Sequence, residues 1–419
     1  FPGSSLRPGA TQSFFVHMPY FVYIATGGAA KVVVKASPHF GIVPEPTVEH
    51  EGILTLHRDS NRSSFTKVHE FPLGTVQWIE GHPYNGHLYA IWDEKLGAFS
   101  IAKDGSLTLV SSVDTIGAAH HLTISADGAW LLTAGYMSKT VAVFPIYSNG
   151  SLGPPVDSKL HEAPTRPAHL HDRQEHCHPH QISIDPRAPK WALCCDLGAD
   201  CVWVYSFDNH SGALLGAITS DRHLAFPEGS GPRHLDFHPT GRFVFVLCEL
   251  DGHLVTCDWD GEEGRLTMRH SVFVLPPGAK SSRADHSGAS AIRCSPDGKM
   301  VYASHRTDDT VVAFEVDASD GSLTRKQAVH CNGYTPRDLR LDWPLEDEDA
   351  QRYLHVANTD SQHIATFSVD KFGHLSQQPV SVLEIPGFCP GAISAPIVPP
   401  IWAECAQSQA TAATRNTTL

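Results

Sequence analysis

Four side chains in the middle of the chain have the chemistry of an acid–base site that binds an anion: His180, Arg233, Glu249 and Arg306. An imidazole exchanges a proton near neutral pH, and a guanidinium binds a carboxylate or a phosphate through two parallel hydrogen bonds. A glutamate beside an arginine is expected to stay charged, which favours Glu249 as a base or electrostatic partner and His180 as the group that changes protonation state. Such a set binds an anionic substrate and moves a proton, provided that the fold brings the four residues together.

A repeat in the sequence supplies the elements that position these residues. Segments 233–266 and 290–323 share one pattern: an alternating strand, a Pro-x-Gly turn, an apolar strand, a polar link, a third strand and a Gly-rich turn before a leucine. The same pattern fits four further segments, the last two more loosely: 120–152, 180–214, 77–107 and 337–375. A period of roughly 40 to 55 residues with four short strands is typical of a β-propeller blade.

The two ends of the chain complete a seventh blade. Phe21–Thr26 and Gly52–Arg58 are predicted as middle strands without an innermost partner, and residues 390–398 as an innermost strand without the rest of its blade. Pairing them closes a ring and leaves no open sheet edge. The predicted fold is therefore all-β, a seven-bladed β-propeller of four-stranded antiparallel blades. It spans residues 13–405, between tails at 1–12 and 406–419 whose polar composition predicts disorder.

Equal positions in the repeat place polar residues around one mouth of the channel. The innermost strand of each blade lines the channel and the second strand returns antiparallel to it, so the start of one and the end of the other share a face. Six residues before each turn, the sequence has Gln77, His120, His180, Arg233, Ser290 and Arg337. Eight residues after the turn glycines Gly128, Gly241 and Gly298, it has Tyr136, Glu249 and Arg306. Polar strand ends often simply face solvent, but the shared register favours a binding site.

Composition argues against several classes of function. The formal net charge is −14 with scattered lysines and arginines, which argues against binding to nucleic acid or to an anionic membrane surface. No apolar stretch approaches the ~20 residues that span a bilayer. The sequence has neither a Walker-type phosphate loop nor a GxGxxG motif after a strand, so no nucleotide cofactor is predicted.

The predicted compartment is the cytoplasm, although a secreted or organellar location stays open. Six cysteines lie in apolar strand-like runs and are expected to be free and buried, as in a reducing compartment: Cys194, Cys195, Cys201, Cys248, Cys257 and Cys294. Four Asn-x-Ser/Thr sequons point the other way: Asn61, Asn149, Asn209 and Asn416. The chain also begins at Phe1 without a methionine, which is compatible with a removed leader. No pattern fixes the oligomeric state.

A cluster of histidines just before the repeat at 180–214 raises the question of a metal site. The residues concerned are His169, His171, His176, Cys177, His178 and His180. The segment lacks a paired Cys-x-x-Cys or a His-Glu-x-x-His motif and precedes a strand, which favours surface histidines over zinc ligands. The trio Cys194, Cys195 and Cys201 is likewise assigned to the core. The sequence therefore predicts no metal and no other cofactor.

The motifs around the candidate residues resemble a known family. They are His178-Pro-His180-Gln, Gly231-Pro-Arg233-His, Leu247-Cys-Glu249-Leu and Ser304-His-Arg306. They are similar to the seven-bladed lactonases, which include 6-phosphogluconolactonases of the cycloisomerase-2 type and fungal 3-carboxy-cis,cis-muconate lactonising enzymes. The resemblance covers residues 21–398 and is strongest over 178–323. An insertion at 35–49 and the His-rich run 161–178 depart from the family pattern and rebuild the rim.

The resemblance implies that the four residues at the start of this subsection match the active-site residues proposed in the muconate enzymes. Arg337 matches a further arginine of the phosphogluconolactonase branch. Both branches carry the four residues, so the resemblance identifies the family and leaves the substrate open.

Together these observations predict an enzyme that hydrolyses a sugar-type lactone with an anionic group, such as 6-phosphogluconolactone. Proton transfer is assigned to His180 and Glu249, in an order that the sequence leaves open, and anion binding and charge stabilisation to Arg233 and Arg306. The predicted substrate-binding residues are Arg337, His120, Ser290, Tyr136 and Gln77.

Two other functions stay open. One is a cycloisomerase that closes a lactone from an unsaturated diacid, and the other is a propeller that binds a partner without catalysis. For the enzyme, the expected partner is a small anionic lactone or carboxylate, with neither nucleic acid nor membrane.

Overall fold

The computed structural model describes residues 21–26, 49–59, 63–162, 168–216, 223–279, 288–344 and 350–394. The tails predicted at 1–12 and 406–419 lie outside these residues, as does most of the insertion at 35–49. The regular secondary structure of the described residues is almost entirely β-strand. Its helical part is the connection before the fourth blade, a 3-10 turn at Ala168–Leu170 followed by helix α1 at His171–Gln174.

The strands form seven antiparallel sheets, which are the blades. Those of the first three blades are β1 (Phe21–Thr26), β2 (Gly52–Arg58), β3 (Phe65–Pro72), then β4 (Val76–Gly81), β5 (His87–Trp92), β6 (Lys95–Ile101), β7 (Leu107–Asp114), then β8 (His121–Ile124), β9 (Trp130–Gly135), β10 (Thr140–Pro145) and β11 (Asp157–Leu160).

The fourth blade differs from the others because β15 and β16 both pair with β14, so its outer edge is built from two short strands. The strands of the fourth blade are β12 (Pro179–Ile184), β13 (Trp191–Asp196), β14 (Cys201–Asp208), β15 (Ala213–Leu215) and β16 (His223–Ala225). The strands of the fifth blade are β17 (Pro232–Phe237), β18 (Phe243–Cys248), β19 (His253–Asp260) and β20 (Arg265–Phe273). The remaining strands are β21 (Ala289–Cys294), β22 (Met300–His305), β23 (Thr310–Val316), β24 (Leu323–His330), then β25 (Pro336–Asp342), β26 (Arg352–Asn358), β27 (His363–Val369), β28 (Ser381–Glu384) and finally β29 (Pro390–Ser394).

The ring is closed by the two ends of the chain within one blade. Strand β29 is the innermost strand of the first blade and pairs antiparallel with β1, so that Ile24 lies opposite Ile393 and Tyr23 opposite Ser394. The predicted all-β fold, the number of blades and the way in which they close are all confirmed. Closure matters for function because it fixes the inner strands of all seven blades around one channel.

The core is divided among the interfaces between neighbouring blades, and each interface holds its own apolar cluster. Strand β18 shows how one strand serves two interfaces. Its Val244 and Val246 pack toward the fourth blade, while Phe243 and Phe245 pack toward the sixth. Because side chains alternate between the two faces of a sheet and both faces are covered, such a strand is apolar throughout.

Hydrogen bonds tie each of the first six blades to the next at the outer turns. A buried or half-buried aromatic or hydroxyl side chain on a middle strand donates to a carbonyl in the Gly-rich turn of the following blade. These bonds join Tyr23 to Gly105, Tyr89 to Gly150, Trp130 to Asn209, Trp191 to Gly261, Thr256 to Gly321 and Tyr302 to Gly373, at 2.7 to 3.2 Å. Apolar packing alone has little directional preference, so these bonds help to fix the angle between blades.

The nine cysteines within the described ranges are all free thiols, and all but Cys294 are buried. Five of the six cysteines expected in the core are therefore buried, and Cys294 is half-buried. No helix in the described ranges has the length and apolar character needed to cross a membrane.

Candidate active site

The inner strands bulge at the predicted positions. Gln77, His180, Arg233 and Arg337 are each the extra residue at an interruption of the register between the first and second strands of a blade. A bulge leaves one residue unpaired and turns its side chain away from the regular alternation. The repeated bulge therefore gives four blades the same means of aiming a polar side chain at the mouth of the channel.

The second strands contribute the opposite half of the mouth. Strands β9, β18 and β22 end one residue before Tyr136, Glu249 and Arg306, respectively. Backbone bonds extend this register: the amide of Glu249 donates to the carbonyl of Gly231, and that of Arg306 to the carbonyl of Gly288. The start of one strand and the end of the next thus meet at one face.

Glu249 lies at the centre of the mouth and is bound by three arginines. Its Oε1 lies 2.7 Å from Nη1 of Arg173 and 2.9 Å from Nη2 of Arg306, and its Oε2 lies 3.0 Å from Nε of Arg233. The carboxylate is 2% exposed. Burial alone would raise the pKa of Glu249, but Arg306, Arg173 and Arg233 together hold it well below its usual value. Glu249 is therefore a permanent anion and a weak base.

Arg337 is the fourth arginine of the mouth, and its guanidinium makes no hydrogen bond or close ion pair with the described residues. Burial and the neighbouring Arg306 lower its pKa. Asp360 lies nearby, and its Oδ2 accepts a hydrogen bond of 2.6 Å from Thr335. Four arginines thus surround Glu249, and Asp360 and Asp338 add their negative charges near Arg337, so the mouth is locally cationic although the whole chain is acidic.

His180 lies beside this cluster and is held by aromatic neighbours. Its ring meets the rings of Tyr136 and His234 edge to face, with centroids 5.6 and 5.1 Å away. Its Nδ1 is buried and has no hydrogen-bond partner within the described ranges. Burial and the charge of Arg233 hold the pKa of His180 well below its ordinary value, so the ring is neutral at neutral pH.

The remaining predicted residues differ in how free they are to bind a ligand. Ser290 is fully buried and donates its hydroxyl to the carbonyl of Arg337 at 2.9 Å, so it positions the backbone. His120 packs against Tyr136, and burial together with Arg337 lowers its pKa to about 4. Gln77 lies on β4 of the second blade and is partly exposed.

Arg173 is the residue of this cluster that the sequence analysis did not identify. It lies on α1, in the connection between the third and fourth blades, and its Nε and Nη2 both donate to the hydroxyl of Tyr136 at 3.3 Å. The connection has no counterpart in the blade pattern, so counting along the repeat does not reach it. The only signal was the recognition that this His-rich run rebuilds the rim.

The opposite end of the channel is an open cavity of about 700 Å³ that contains none of the predicted site residues. Its acidic groups are bound within the protein. Asp185 accepts from the indole of Trp259 at 2.6 Å, and Asp236 accepts from the amide of Cys294 at 2.8 Å. The polar side chains that remain available to a ligand therefore lie together at the mouth that holds Glu249.

The fold and the site together define a seven-bladed β-propeller in which one mouth of the channel gathers arginines around a buried carboxylate beside a neutral imidazole. Residues 41–383 match the family model described as "Lactonase, 7-bladed beta-propeller", and the chain belongs to this family. Membership confirms the predicted resemblance and the predicted class of enzyme, one that acts on lactones.

Several known proteins are similar to the chain over most of its length. A 6-phosphogluconolactonase of Bacillus subtilis is 28% identical over 342 residues, which are 79% of this chain and 91% of the relative. One from Pectobacterium atrosepticum is 28% identical over 346 residues, 81% of this chain and 92% of the relative. Among solved structures, the periplasmic gluconolactonase of Pseudomonas aeruginosa has a TM-score of 0.74 at 24% identity, covering 91% of this chain and 99% of that one. The last similarity shows the shared fold.

Proposed function

We propose that this protein hydrolyses the lactone of a sugar acid that carries an anionic group, with 6-phosphogluconolactone as the first substrate to test. One observation carries the proposal: three arginines converge on the buried carboxylate of Glu249 while the guanidinium of Arg337 beside them is unpaired among the described residues. An excess of cationic groups around a neutral imidazole suits an anionic substrate whose carbonyl oxygen gains negative charge in the transition state. The names of the two 6-phosphogluconolactonases above support the same substrate class.

In the proposed mechanism His180 is the proton acceptor. It takes a proton from water as the water oxygen bonds to the lactone carbonyl carbon, and it then gives that proton to the ring oxygen as the bond between this oxygen and the carbonyl carbon breaks. Glu249 is assigned a positioning role instead of proton transfer, because both of its carboxylate oxygens are already bound to arginines, whereas Nδ1 of His180 has no partner among the described residues. The arginines that it orients stabilise the oxyanion.

Arg337 is assigned to the phosphate or carboxylate of the substrate. A charged guanidinium binds such a group through two hydrogen bonds, each of which contributes more than a neutral one. Because the Arg337 guanidinium makes no hydrogen bond to the described residues, it has no internal bond to give up when the substrate arrives.

The test compares 6-phosphogluconolactone with glucono-1,5-lactone, which lacks the phosphate. Arg337→Ala is expected to raise KM for the phosphorylated lactone by roughly 10- to 100-fold and to change KM for the neutral one far less. His180→Asn is expected to lower kcat for both lactones by about 100-fold or more. The matched control is Arg269→Ala, which should behave as wild type, because Arg269 is exposed on the outer strand β20 and its guanidinium pairs with Asp258 of β19.

Three results would contradict the proposal. If wild type prefers the neutral lactone and Arg337→Ala leaves the preference unchanged, the anionic group is wrongly assigned. If wild type opens neither lactone but closes 3-carboxy-cis,cis-muconate to a lactone, the protein is a cycloisomerase. Folded wild type that acts on none of the three leaves the non-enzymatic binding function in first place.

A further inference from the structure

Glu175, His176 and His178 bring three ligand atoms together at the rim, outside the group of residues assigned above to catalysis. Oε1 of Glu175 lies 3.3 Å from Nε2 of His176 and 3.2 Å from Nε2 of His178. One ligand atom from each of the three side chains lies within 4.8 Å of the other two. Among the described residues, no other group of three or more His, Cys, Asp or Glu side chains does so.

The hydrogen bonds of the two imidazoles fix which nitrogen is free. Nδ1 of His178 lies 2.9 Å from the carbonyl oxygen of Tyr136, and Nδ1 of His176 lies 2.8 Å from that of Cys177. A carbonyl only accepts, so each Nδ1 must carry its proton, and each neutral ring then presents a lone pair at Nε2. Donation from the second nitrogen to a carbonyl is the arrangement usual for histidines that bind metals.

Three acceptors therefore face one another with no donor between them when both rings are neutral. Nε2 of His178 is buried and makes no hydrogen bond, although the Glu175 carboxylate is close, and the His178 side chain is only 1% exposed. Two lone pairs and a carboxylate at this spacing repel one another unless a positive centre lies between them, and a proton on one imidazole joins that ring to Glu175 but leaves the lone pair of the second ring without a donor. A metal ion bound to all three supplies that centre.

The spacing also indicates the kind of ion. Bonds of about 2.0 to 2.1 Å at tetrahedral angles place neighbouring ligand atoms about 3.3 Å apart, close to the two distances from Glu175. Two imidazole nitrogens and one carboxylate oxygen are a usual zinc set with one position left for water. Glu175 and His176 are 39% and 31% exposed, so solvent reaches the fourth position.

The backbone around the three residues is held in place before any ion arrives. The amide of His178 donates to Oδ1 of the buried Asp196 at 2.7 Å. Gly198 lies so close that a side chain there would meet the carbonyl oxygen of His176 at 1.8 Å. The ring of His178 stacks on that of Tyr136, with centroids 4.0 Å apart and planes 17° from parallel. A site held in this way needs little reorganisation when it binds an ion.

We propose that Glu175, His176 and His178 bind one divalent transition-metal ion of the zinc class, which anchors the connection between the third and fourth blades at the rim. This inference is independent of the proposed lactone reaction, and it differs from the sequence analysis, which predicted no metal.

The test is titration of the purified full-length chain, freed of metal with a chelator, by isothermal calorimetry with Zn²⁺. Wild type is expected to bind one equivalent, and His176→Gln and Glu175→Gln to weaken binding by at least about 10-fold. The exposed His210→Gln should bind as wild type and controls for adventitious surface histidines. Circular dichroism checks that each variant is folded.

Two further measurements on the same proteins sharpen the result. Co²⁺ should give wild type the visible absorption of a tetrahedral ion, and His176→Gln should lose it. Zn²⁺ should raise the melting temperature of wild type and leave that of His176→Gln unchanged. The proposal is overturned if metal-free wild type binds no Zn²⁺, or if both ligand variants keep the stoichiometry and affinity of wild type.

Discussion

Arg173 lies on the connection between the third and fourth blades, and its Nη1 lies 2.7 Å from Oε1 of Glu249 at the end of a strand in the fifth. The same guanidinium holds the hydroxyl of Tyr136. The Arg173 side chain is 30% exposed, whereas the carboxylate that it binds is 2% exposed. Arg173 thus covers the solvent side of a cluster whose other members project from the blades.

We predict that Arg173→Ala lowers kcat/KM for the lactone substrate by about 10- to 100-fold, because the cluster loses one of its cationic donors. Arg173→Lys should fall between this variant and wild type, since an ammonium keeps the charge but cannot bind the carboxylate and the phenol together. Steady-state kinetics with 6-phosphogluconolactone measure both effects. Wild-type kinetics in Arg173→Ala would mean that the contact with Glu249 has no part in the reaction.

Glu249→Gln should cost stability as well as activity. Removing the carboxylate charge leaves Arg233 and Arg306 buried without a counterion, and breaking a buried ion pair in this way costs about 3 to 5 kcal/mol. Urea unfolding followed by circular dichroism measures the loss. Asp258→Asn is the matched control, because its pair with Arg269 is exposed and should contribute less than about 1 kcal/mol. Equal midpoints for the two variants would contradict the role given to Glu249.

The sequence predicted most of the mouth because a propeller repeats one geometry. Once the turn of each blade was located, a fixed count reached Arg233 on an inner strand and Glu249 on a second strand, and the structure brings them within 3.0 Å. The same counting could not identify Arg173, since a connection inserted between two blades has no equivalent position in the repeat. It also did not separate Ser290, whose hydroxyl is bonded internally, from residues whose polar groups are free.

Most of the fold was also predictable, because the hydrophobic patterns of its strands recur from blade to blade. Second strands are apolar on both faces and inner strands alternate regularly before a turn, so both patterns are strong, and an open ring edge is costly enough to predict that β29 joins β1. Outer strands have one exposed face and weak patterns. Strand β11 of the third blade alternates only between half-buried and exposed residues, and the splitting of the fourth blade's outer edge into β15 and β16 had no sequence signal.

Buried neutral histidines should make the fold sensitive to mild acid, and His363 is a suitable probe outside the mouth. Burial lowers the pKa of His363 to about 4, while its Nε2 lies 2.8 Å from Nδ2 of Asn358 and its Nδ1 lies 3.8 Å from Glu384. The unfolded chain takes up this proton near pH 6.5 and the folded chain does not. The contribution of His363 to stability is therefore complete above pH 6.5 and is lost as the pH falls toward 4.

From pH 7 to pH 5 wild type should lose about 2 kcal/mol more stability than His363→Gln, as measured by urea midpoints at each pH. The exposed His210→Gln should follow wild type at both pH values. If the curves of wild type and His363→Gln stay parallel, His363 is protonated in the folded state and the expected linkage is absent.

Gly264 tests the contacts that join neighbouring blades. It lies in the outer turn of the fifth blade with φ of +66°, and a methyl group there would lie 2.4 Å from Cη2 of Trp191 in the fourth blade. Trp191 cannot easily move away, because it is 6% exposed and its indole donates to the carbonyl of Gly261 at 2.7 Å. Gly264→Ala should therefore cost about 1 to 2 kcal/mol for the left-handed backbone and about 1 to 3 kcal/mol more for the clash.

Gly86→Ala isolates the first of these two costs. Gly86 has nearly the same φ, +67°, but no atom lies within 4 Å of the position that a methyl group would take. Its substitution should cost only the backbone strain, about 1 to 2 kcal/mol. The difference between the two variants in urea unfolding then measures how firmly Trp191 is fixed between the blades. Equal losses would show that the indole gives way, so that the interface is held by apolar packing and not by the bond to Gly261.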